Sequence, residues 1–251
     1  MLAACDEVSL EDRLVYVEPP KATRAVLIED YTGQYCVNCP NASKEIENLV
    51  EEFGDTTVIA VAFHAGPFGK NKQGVPSPLY TEVGNEYFNY WGLSYQPIGV
   101  IDRLGGVDYP DWTYGVNYEI QQEPGVYIMA SPNVDYITHD AQVVVDIIGL
   151  EDAPINGKLQ VWLVEDSIDS FQYMPDGSIN EHYNHMHVFR ASISDKWGDS
   201  LPVTHGDLIQ KTYDFHFDDA WVLNHCSVVV FYYDDEGIKQ VTKQKFDTVL
   251  L

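Results

Sequence analysis

The sequence predicts an α/β unit in its first half and an all-β sandwich in its second half. In the first half, an apolar run, a helical spacing of apolar residues and a second apolar run follow one another, which is typical of a strand–helix–strand unit. After Pro124-Gly125 the helical spacing stops, and about seven short runs rich in β-branched and aromatic residues follow. We therefore predict folded units over 23–124 and 125–251, behind an N-terminal segment over 1–22.

Composition excludes several classes of protein. The chain has 251 residues, with 14 Lys and Arg against 39 Asp and Glu, and its net charge is -25. Nucleic-acid binding needs a basic surface, so we expect no nucleic-acid partner. A hydrophobic content of 45% excludes global disorder. No apolar run approaches the roughly 20 residues that a membrane-spanning helix needs.

The first five residues indicate how the protein is attached to a membrane. They read Met-Leu-Ala-Ala-Cys, and residues 2–5 resemble a bacterial lipobox, in which small residues precede a cysteine that becomes acylated. Residues 6–12 are mostly acidic and read as a tether. We expect a lipid anchor at Cys5 as the protein's membrane contact. The alternative is that Cys5 is an ordinary thiol in a frayed terminus.

The first strand–helix–strand unit surrounds a cysteine pair. Residues 25–31 form a buried strand, and residues 36–40 read Cys-Val-Asn-Cys-Pro. A helix follows, with Gly54 as its C-terminal cap, and residues 56–63 form a second buried strand. A right-handed crossover makes the two strands a parallel pair.

The cysteine count limits the chemistry of that pair. The chain has four cysteines, Cys5, Cys36, Cys39 and Cys226, and only Cys36 and Cys39 are close together. A four-thiolate zinc site needs two such pairs. The pair is therefore a redox dithiol, a local structural disulfide or half of a mixed metal site. Cys226 begins a core-like strand and is expected to be a buried free thiol.

The residues around the pair resemble the thioredoxin superfamily. Asp30 stands six residues before Cys36, where that family has a buried proton-transferring acid, and residues 95–102 resemble its cis-proline loop and the strand after it. The resemblance implies that Pro97 is cis and packs against the pair. It also implies that Cys36 is the exposed nucleophile and Cys39 the resolving thiol. The alternative is a disulfide that is retained but no longer turns over.

Two further segments complete the first half. Residues 64–80 are rich in Gly and Pro and predict a loop at the end of a strand, where open α/β sheets bind ligands. His64 is the polar residue there, and capping the strand end is its simpler role. Helices are predicted over 81–91 and 113–123.

The second half reads as an antiparallel sandwich of immunoglobulin-like type. Asn156-Gly157 and residues 234–237 are predicted to be hairpin turns. The predicted strands are 126–130, 141–150, 158–165, 187–192, 211–217, 227–233 and 238–246. A module of this type presents or binds more often than it catalyses.

Three histidines within six residues raise the question of a metal site. On a strand, His185 and His187 share a face, while His182 lies in the loop before it. No carboxylate or cysteine completes a ligand set at fixed spacing, so we predict a structural role and no metal.

Taken together, the chain resembles the 28-kilodalton outer-membrane-protein (Omp) family of Gram-negative bacteria, whose members are exported lipoproteins with a thioredoxin-like domain and a β-sandwich. The segments that carry this resemblance are 2–5, 36–40, 97–103, 185–190 and 221–231. It implies an outer-membrane location, and Asp6-Glu7 resembles a surface-export signal of such lipoproteins.

Two function classes remain open. The protein is either a thiol–disulfide oxidoreductase acting on protein or small thiols, or a surface adhesion or assembly module that uses the α/β unit as a scaffold. Neither class requires a cofactor.

Overall fold

The structure, a computed structural model, describes residues 23–248. The helices in this range are α1 (Cys39–Phe53), α2 (Glu82–Tyr90) and α3 (Trp112–Glu119). The strands of the first half are β1 (Val26–Thr32), β2 (Val58–His64), β3 (Ile98–Ile101) and β4 (Gly106–Val107). The strands of the second half are β5 (Val126–Val134), β6 (Asp140–Gly149), β7 (Ile155–Glu165), β8 (Ile168–Tyr173), β9 (Ile179–His185), β10 (Val188–Ser192), β11 (Asp199–Val203), β12 (Leu208–His216), β13 (Cys226–Asp234), β14 (Gly237–Lys245) and β15 (Asp247–Thr248).

One mixed sheet joins the two halves of the described chain. Its strand order is β14-β13-β7-β10-β2-β1-β3-β4, with β11 paired to β7. β10 lies between β2 and β7, and its pairing with β2 is the single parallel pair Val188–Ala62. Strands from both sides of residue 124 therefore share one sheet. The division into units over 23–124 and 125–251 stays a prediction.

The predicted strand–helix–strand unit is confirmed. β1 and β2 pair in parallel from Val26–Val58 to Thr32–His64, and α1 connects them. β1 is buried along its whole length, as expected for a strand with both faces covered. α1 ends at Gly54, whose φ of +90° is accessible to glycine and whose N–H donates to Val50.

Three hydrophobic cores pack against the main sheet. One face carries a single core that extends from β1 to β14 and includes Tyr87 and Phe88 of α2. On the opposite face, α1 and α3 cover β1, β2 and β3. A second sheet, of order β12-β6-β5-β15, covers β7 and β13 on that face and shares a core with them. The fold is thus rich in β-structure, and two packed sheets form the second half.

One predicted turn is wrong. Asn156-Gly157 lies inside β7, not in a hairpin turn. A Cβ on Gly157 would come within 2.6 Å of the Tyr232 ring, and the Gly157 N–H donates to the Tyr232 hydroxyl at 2.9 Å. Glycine is needed at position 157 because the buried Tyr232 side chain packs directly against the backbone of β7 there. The other predicted turn, over 234–237, does join β13 to β14.

Five strands were missing from the prediction, namely the hairpin strands β8 and β9 and the shorter strands β4, β11 and β15. The first two form a separate hairpin with only each other as partners. Residues 175–178, Pro-Asp-Gly-Ser, form its turn, and Asp-Gly between alternating residues is a strong hairpin signal. The third helix is also shorter than predicted and ends at Glu119.

Candidate functional site

The cysteine pair lies at the N-terminal end of α1 and forms a disulfide. Cys39 is the first residue of the helix, Pro40 follows it, and the two Cα atoms are 5.4 Å apart. No acidic residue lies in the first helical turn to oppose the positive end of the helix dipole. Cys36 is 2% exposed and Cys39 is 1% exposed. The expectation that Cys36 is the exposed thiol is therefore wrong.

A hairpin covers Cys36. We call β8, β9 and the turn between them (residues 168–185) the cover hairpin. The buried Gln172 amide donates to the carbonyl of Gly33 at 3.2 Å and to that of Cys36 at 2.9 Å. The Tyr35 ring packs between Phe171 and Tyr173, with centroids 5.2 and 5.4 Å away. These contacts close the outer side of the cysteine loop.

Gln34 fixes the cover hairpin from the other side. This side chain is fully buried, and its amide donates to the Ser170 hydroxyl at 2.9 Å and to the Phe171 carbonyl at 2.7 Å. The backbone carbonyl of Gln34 accepts a hydrogen bond from the Tyr173 N–H at 2.9 Å. The sequence did not single out Gln34 or Gln172, because their role depends on the hairpin. The Asp-Gly turn signal was the one feature that points to them.

A cavity of about 520 Å³ borders the disulfide on the side of Cys39. Its walls come from α1, from the ends of β1 and β2, from Gln172 of β8, and from β9 with the residues that follow it. Of the two cysteines, Cys39 lines this space and Cys36 does not. We call it the Cys39 cavity. Both cysteines are nearly closed to solvent, and the cavity lies against the pair on the side of Cys39.

Asp30 lies in the wall of the Cys39 cavity. It is on β1 opposite Ala62, on the same face as Val26 and Ile28, and is therefore turned toward α1. The side chain is 1% exposed, and its Oδ1 atom has no hydrogen-bond partner in the described chain. Burial raises the pKa of Asp30 to about 7, because the low-dielectric surroundings disfavour the carboxylate.

Three histidines line the same cavity, and burial keeps two of them, His64 and His185, neutral. His64, the last residue of β2, is buried, and neither ring nitrogen has a hydrogen-bond partner within residues 23–248. Its ring centroid is 5.2 Å from that of His185 on β9. Burial holds the pKa of His64 well below its usual range and lowers that of His185 to about 4. His64 is thus more than the strand cap that the sequence indicated.

The peptide bond between Gln96 and Pro97 is cis, as predicted. The Gln96 amide donates to the carbonyls of Thr32 and, at 2.9 Å, Ala65, while its oxygen accepts from the Phe68 N–H at 3.0 Å. The proline loop is therefore tied to the segments that leave β1 and β2.

The loop after β2 also reaches the cysteine loop. The Phe68 carbonyl accepts from the Tyr35 N–H at 3.2 Å, and a Cβ on Gly33 would lie 2.2 Å from that carbonyl oxygen. Glycine at position 33 permits this approach.

Comparison with protein families decides which family the chain belongs to. The model of the family described as outer membrane protein Omp28 matches residues 84–249, about two thirds of the chain. The chain belongs to the Omp28 family. Both the predicted family and the predicted outer-membrane location are thereby confirmed. The cysteine pair and Asp30 lie before the matched residues.

Two solved structures are similar to this Omp28 member. HBP35 of Porphyromonas gingivalis is 12% identical and gives a TM-score of 0.70 over 91% of this chain and 78% of its own. This likeness shows a shared fold. A domain of the outer membrane lipoprotein Omp28 from the same organism is 20% identical, with a TM-score of 0.36 over 50% of this chain and 90% of its own. Among curated proteins none matches.

The histidine cluster is arranged differently from the prediction. His182 and His185 are both on β9, whereas His187 follows that strand at a φ of +58°. His182 is exposed beside Asp169, His185 lines the Cys39 cavity, and His187 pairs with Asp166 at 3.0 Å. Among residues 23–248, no three His, Cys, Asp or Glu side chains are grouped to hold a metal ion.

The remaining cysteines differ in how far the structure describes them. Cys226 is free and buried at the start of β13, as predicted, and burial raises its pKa to about 12. Cys5 and the predicted lipobox lie outside the described residues. Over the described range, no helix is long and apolar enough to cross a membrane.

Proposed function

We propose that this Omp28-family protein is an envelope thiol–disulfide oxidoreductase whose Cys36–Cys39 disulfide opens and closes reversibly. In this proposal residues 23–124 are a thioredoxin-like unit and residues 125–251 an immunoglobulin-like sandwich that supports it. The parallel β1–α1–β2 unit, the disulfide at the start of α1 and the cis peptide bond before β3 support the first assignment.

The observation that carries the proposal is Asp30. Burying this carboxyl group, which is 1% exposed and has an unpartnered oxygen, lowers the stability of the folded protein. A purely structural disulfide does not require such a group. Beside a dithiol, an acid with a pKa of about 7 can accept and return a proton at neutral pH. We assign Asp30 the role of proton carrier for the pair, and Pro97 that of a neighbour that shapes its surroundings.

A redox titration tests this function. The variant Cys226→Ser, without residues 1–22, leaves the pair as the protein's two cysteines and is equilibrated with graded dithiothreitol ratios. Free thiols are then alkylated and counted by mass spectrometry. We expect a potential between about -270 and -180 mV, within the range of catalytic dithiols and below the strongly oxidising ones near about -120 mV. A potential below about -300 mV is that of structural disulfides and would exclude the proposal.

A second candidate function has its own supporting observation. The cover hairpin buries Cys36 through Gln34 and Gln172, and such a cover suits a disulfide that only holds a scaffold together. In that case the protein is a non-catalytic surface adhesion or assembly module. The same titration separates the two functions, because the scaffold function requires the low potential.

We also propose that Cys5 is acylated and that this lipid anchor is the protein's membrane contact, at the cell surface. Residues 2–5 resemble a lipobox and the acidic residues after them suit a tether. Expression with a full signal peptide and a fatty-acid analogue should label the protein. Labelling that persists in Cys5→Ser would contradict the assignment.

A further inference from the structure

We infer that a second cavity, beside the C-terminal end of α2, binds a short neutral oligosaccharide of glucose-type rings. We call it the aromatic cavity, because Tyr90, Trp91, Trp197 and Tyr233 line it. It measures about 540 Å³, within the roughly 300–1,000 Å³ of small-molecule sites. It shares no lining residue with the Cys39 cavity, so the inference does not depend on the cysteine pair and goes beyond the proposed function.

The four rings are positioned by the fold and still accessible. Trp91, Trp197 and Tyr233 are partly buried against the core on the α2 face of the main sheet. The Tyr233 hydroxyl donates to the Trp197 carbonyl. The Tyr90 ring is 64% exposed, and its centroid lies 4.7 Å from that of Trp197 and 5.0 Å from that of Trp91. A ligand therefore meets rings that are already ordered, which lowers the entropy cost of binding.

Arg103 supports these rings from inside the fold. Its Nε donates to Glu29 at 3.1 Å, and Glu29 also accepts from the Trp91 indole N–H at 3.3 Å. The guanidinium carbon lies 4.3 Å from the Tyr233 ring centroid. The Arg103 side chain is 4% exposed, and its Nη2 atom has no hydrogen-bond partner within residues 23–248. This wall of the cavity therefore favours a ligand that carries acceptor oxygens over a cation.

The rim of the aromatic cavity offers both hydrogen-bond donors and acceptors. Asn156 and Lys158 near the start of β7 and Asp235 in the turn after β13 line the cavity and are exposed. The Asn156 amide donates and accepts, the Lys158 ammonium donates, and the Asp235 carboxylate accepts. A ligand with several hydroxyl groups, each both a donor and an acceptor, matches this mixture.

The charges at the aromatic cavity balance. The charged side chains that line it are two cations and two anions, namely Arg103, Lys158, Asp234 and Asp235. Behind them, Glu29 pairs with Arg103, and Lys239 pairs with Asp234 at 3.2 Å and with Glu236 at 3.1 Å. An anion is disfavoured by the net charge of -25, and a cation by the nearby guanidinium and ammonium groups. A neutral ligand faces neither obstacle.

A glucose-type ring meets these requirements together. Its hydroxyl groups lie around the edge of the ring, so both faces of the ring present apolar C–H groups. One face packs on an aromatic side chain while the hydroxyl groups reach the polar rim. A flat apolar molecule would leave that rim without partners. A quaternary ammonium ion, which aromatic cages also bind, would lie close to Arg103 and Lys158.

Calorimetric titration of the full chain tests the ligand class. The probes are maltotriose and cellotriose, the α- and β-linked trimers of glucose, with tetramethylammonium and indole as the competing classes. We expect at least one trimer to bind with a dissociation constant of about 1 mM or tighter. Tetramethylammonium and indole should each bind at least about tenfold more weakly than that trimer.

Variants locate the bound sugar. Tyr90→Ala removes the most exposed ring and should weaken binding at least about fivefold. Tyr114→Ala is the matched control, because Tyr114 is a 78% exposed helix residue outside the cavity, and it should leave binding unchanged. Asn156→Ala removes a rim amide and should weaken binding at least about twofold. All three positions are exposed, and circular dichroism checks that the variants fold.

Each contrary result overturns a stated part of the inference. Absence of binding by both trimers at about 10 mM would exclude a saccharide site. Tighter binding of tetramethylammonium or indole than of either trimer would reassign the cavity to a cation or to an apolar ligand. Trimer binding that is equal in Tyr90→Ala and Tyr114→Ala would place the sugar elsewhere on the protein. None of these results bears on the redox potential of the cysteine pair.

Discussion

The two ends of strand β1 bury charged groups in opposite ways. Just before the strand, Arg24 donates to Asp102 at 2.8 Å and to Glu119 at 3.0 Å, and the second Asp102 oxygen accepts from the Leu27 N–H at 2.8 Å. Near its other end, Asp30 is equally buried but has an oxygen without a partner. At the start of the strand the buried charges pair with each other and stabilise the fold. Near its other end a carboxyl group lies unpaired close to the disulfide.

Hydrogen bonding distinguishes Asp30 from Asp102, whereas the pKa values of the two side chains do not. Burial raises the pKa of both Asp30 and Asp102 to about 7, in Asp102 against the lowering effect of Arg24. A perturbed pKa alone therefore does not mark a functional group, because structural networks perturb it too. The unpartnered Oδ1 atom of Asp30, within the described chain, is the stronger indication.

The largest effect on stability is expected when the buried ion pairs of Arg24 are removed. Arg24→Met removes the cation that Asp102 and Glu119 share, and leaves two buried carboxyl groups unpaired. We expect the free energy of unfolding to fall by about 3–5 kcal/mol, the usual cost of breaking a buried ion pair from one side. Urea denaturation at pH 7 measures it. Lys44→Met, which breaks an exposed pair with Glu47, is the control and should cost at most about 1 kcal/mol. Equal losses in the two variants would contradict the contrast between the ends.

The sequence predicted the local part of this picture better than the assembled part. The strand, cysteine pair, helix and strand of the first half follow from residues close in the chain, and so does the Asp30 spacing. The β1–β2 pairing and the cis peptide bond before Pro97 agree with those predictions. Such features depend on local periodicity and turn chemistry, which a single sequence carries.

The rest depended on contacts between distant residues. Gln172 of the cover hairpin lies 136 residues after Cys36 in the sequence, and no local pattern predicts the hydrogen bond between them. The exposure of Cys36 was inferred from the helix terminus alone and failed for this reason. In the same way, Gly157 was assigned to a turn because its close contact with Tyr232 is non-local.

The unpaired end should behave in the opposite way to the paired end. The Asp30 pKa is about 7 in the folded state against 3.8 for an unperturbed aspartate, so between these values the folded state holds a proton that the unfolded state has lost. Stability therefore falls as pH rises from about 4 to 7. Asp30→Asn removes this loss and should raise the free energy of unfolding at pH 8 by about 2–4 kcal/mol, at roughly 1.4 kcal/mol per pKa unit.

Urea titrations of Asp30→Asn at pH 4 and pH 8 test this, and the gain should nearly vanish at pH 4. The control is Asp55→Asn, at an exposed position before β2, which should change stability little at either pH. The same Asp30 variant should slow reduction of the disulfide. A variant that is less stable than the wild type at pH 8 would show that Asp30 has a structural partner.

A smaller effect is expected from the cover hairpin. Gln172→Leu removes the buried donor to the Cys36 carbonyl and one of the two donors to the Gly33 carbonyl, which costs about 1–3 kcal/mol. Part of that loss should appear as local opening, so that maleimide labels Cys36 faster in the reduced variant than in the reduced wild type. Gln142→Leu, whose amide bonds to Asp214 on an exposed strand surface, is the control and should leave labelling unchanged. Unchanged labelling in both variants would show that another contact shields Cys36.

The smallest effect is expected from zinc at the three histidines. His182 points to solvent beside Asp169, His185 faces the Cys39 cavity, and His187 is held by Asp166, whose own pKa is lowered by that contact. Burial lowers the pKa of His185 to about 4, so this ring is neutral and able to bind a metal, but it lacks neighbours arranged as a ligand set. Calorimetric titration with zinc at pH 7 should therefore give no binding at micromolar concentration. Binding that disappears in the double variant His185→Ala, His187→Ala would mean that the segment after β9 rearranges to bring the two rings together. In that event the cavity beside Cys39 would close around a metal, and zinc would also slow reduction of the disulfide.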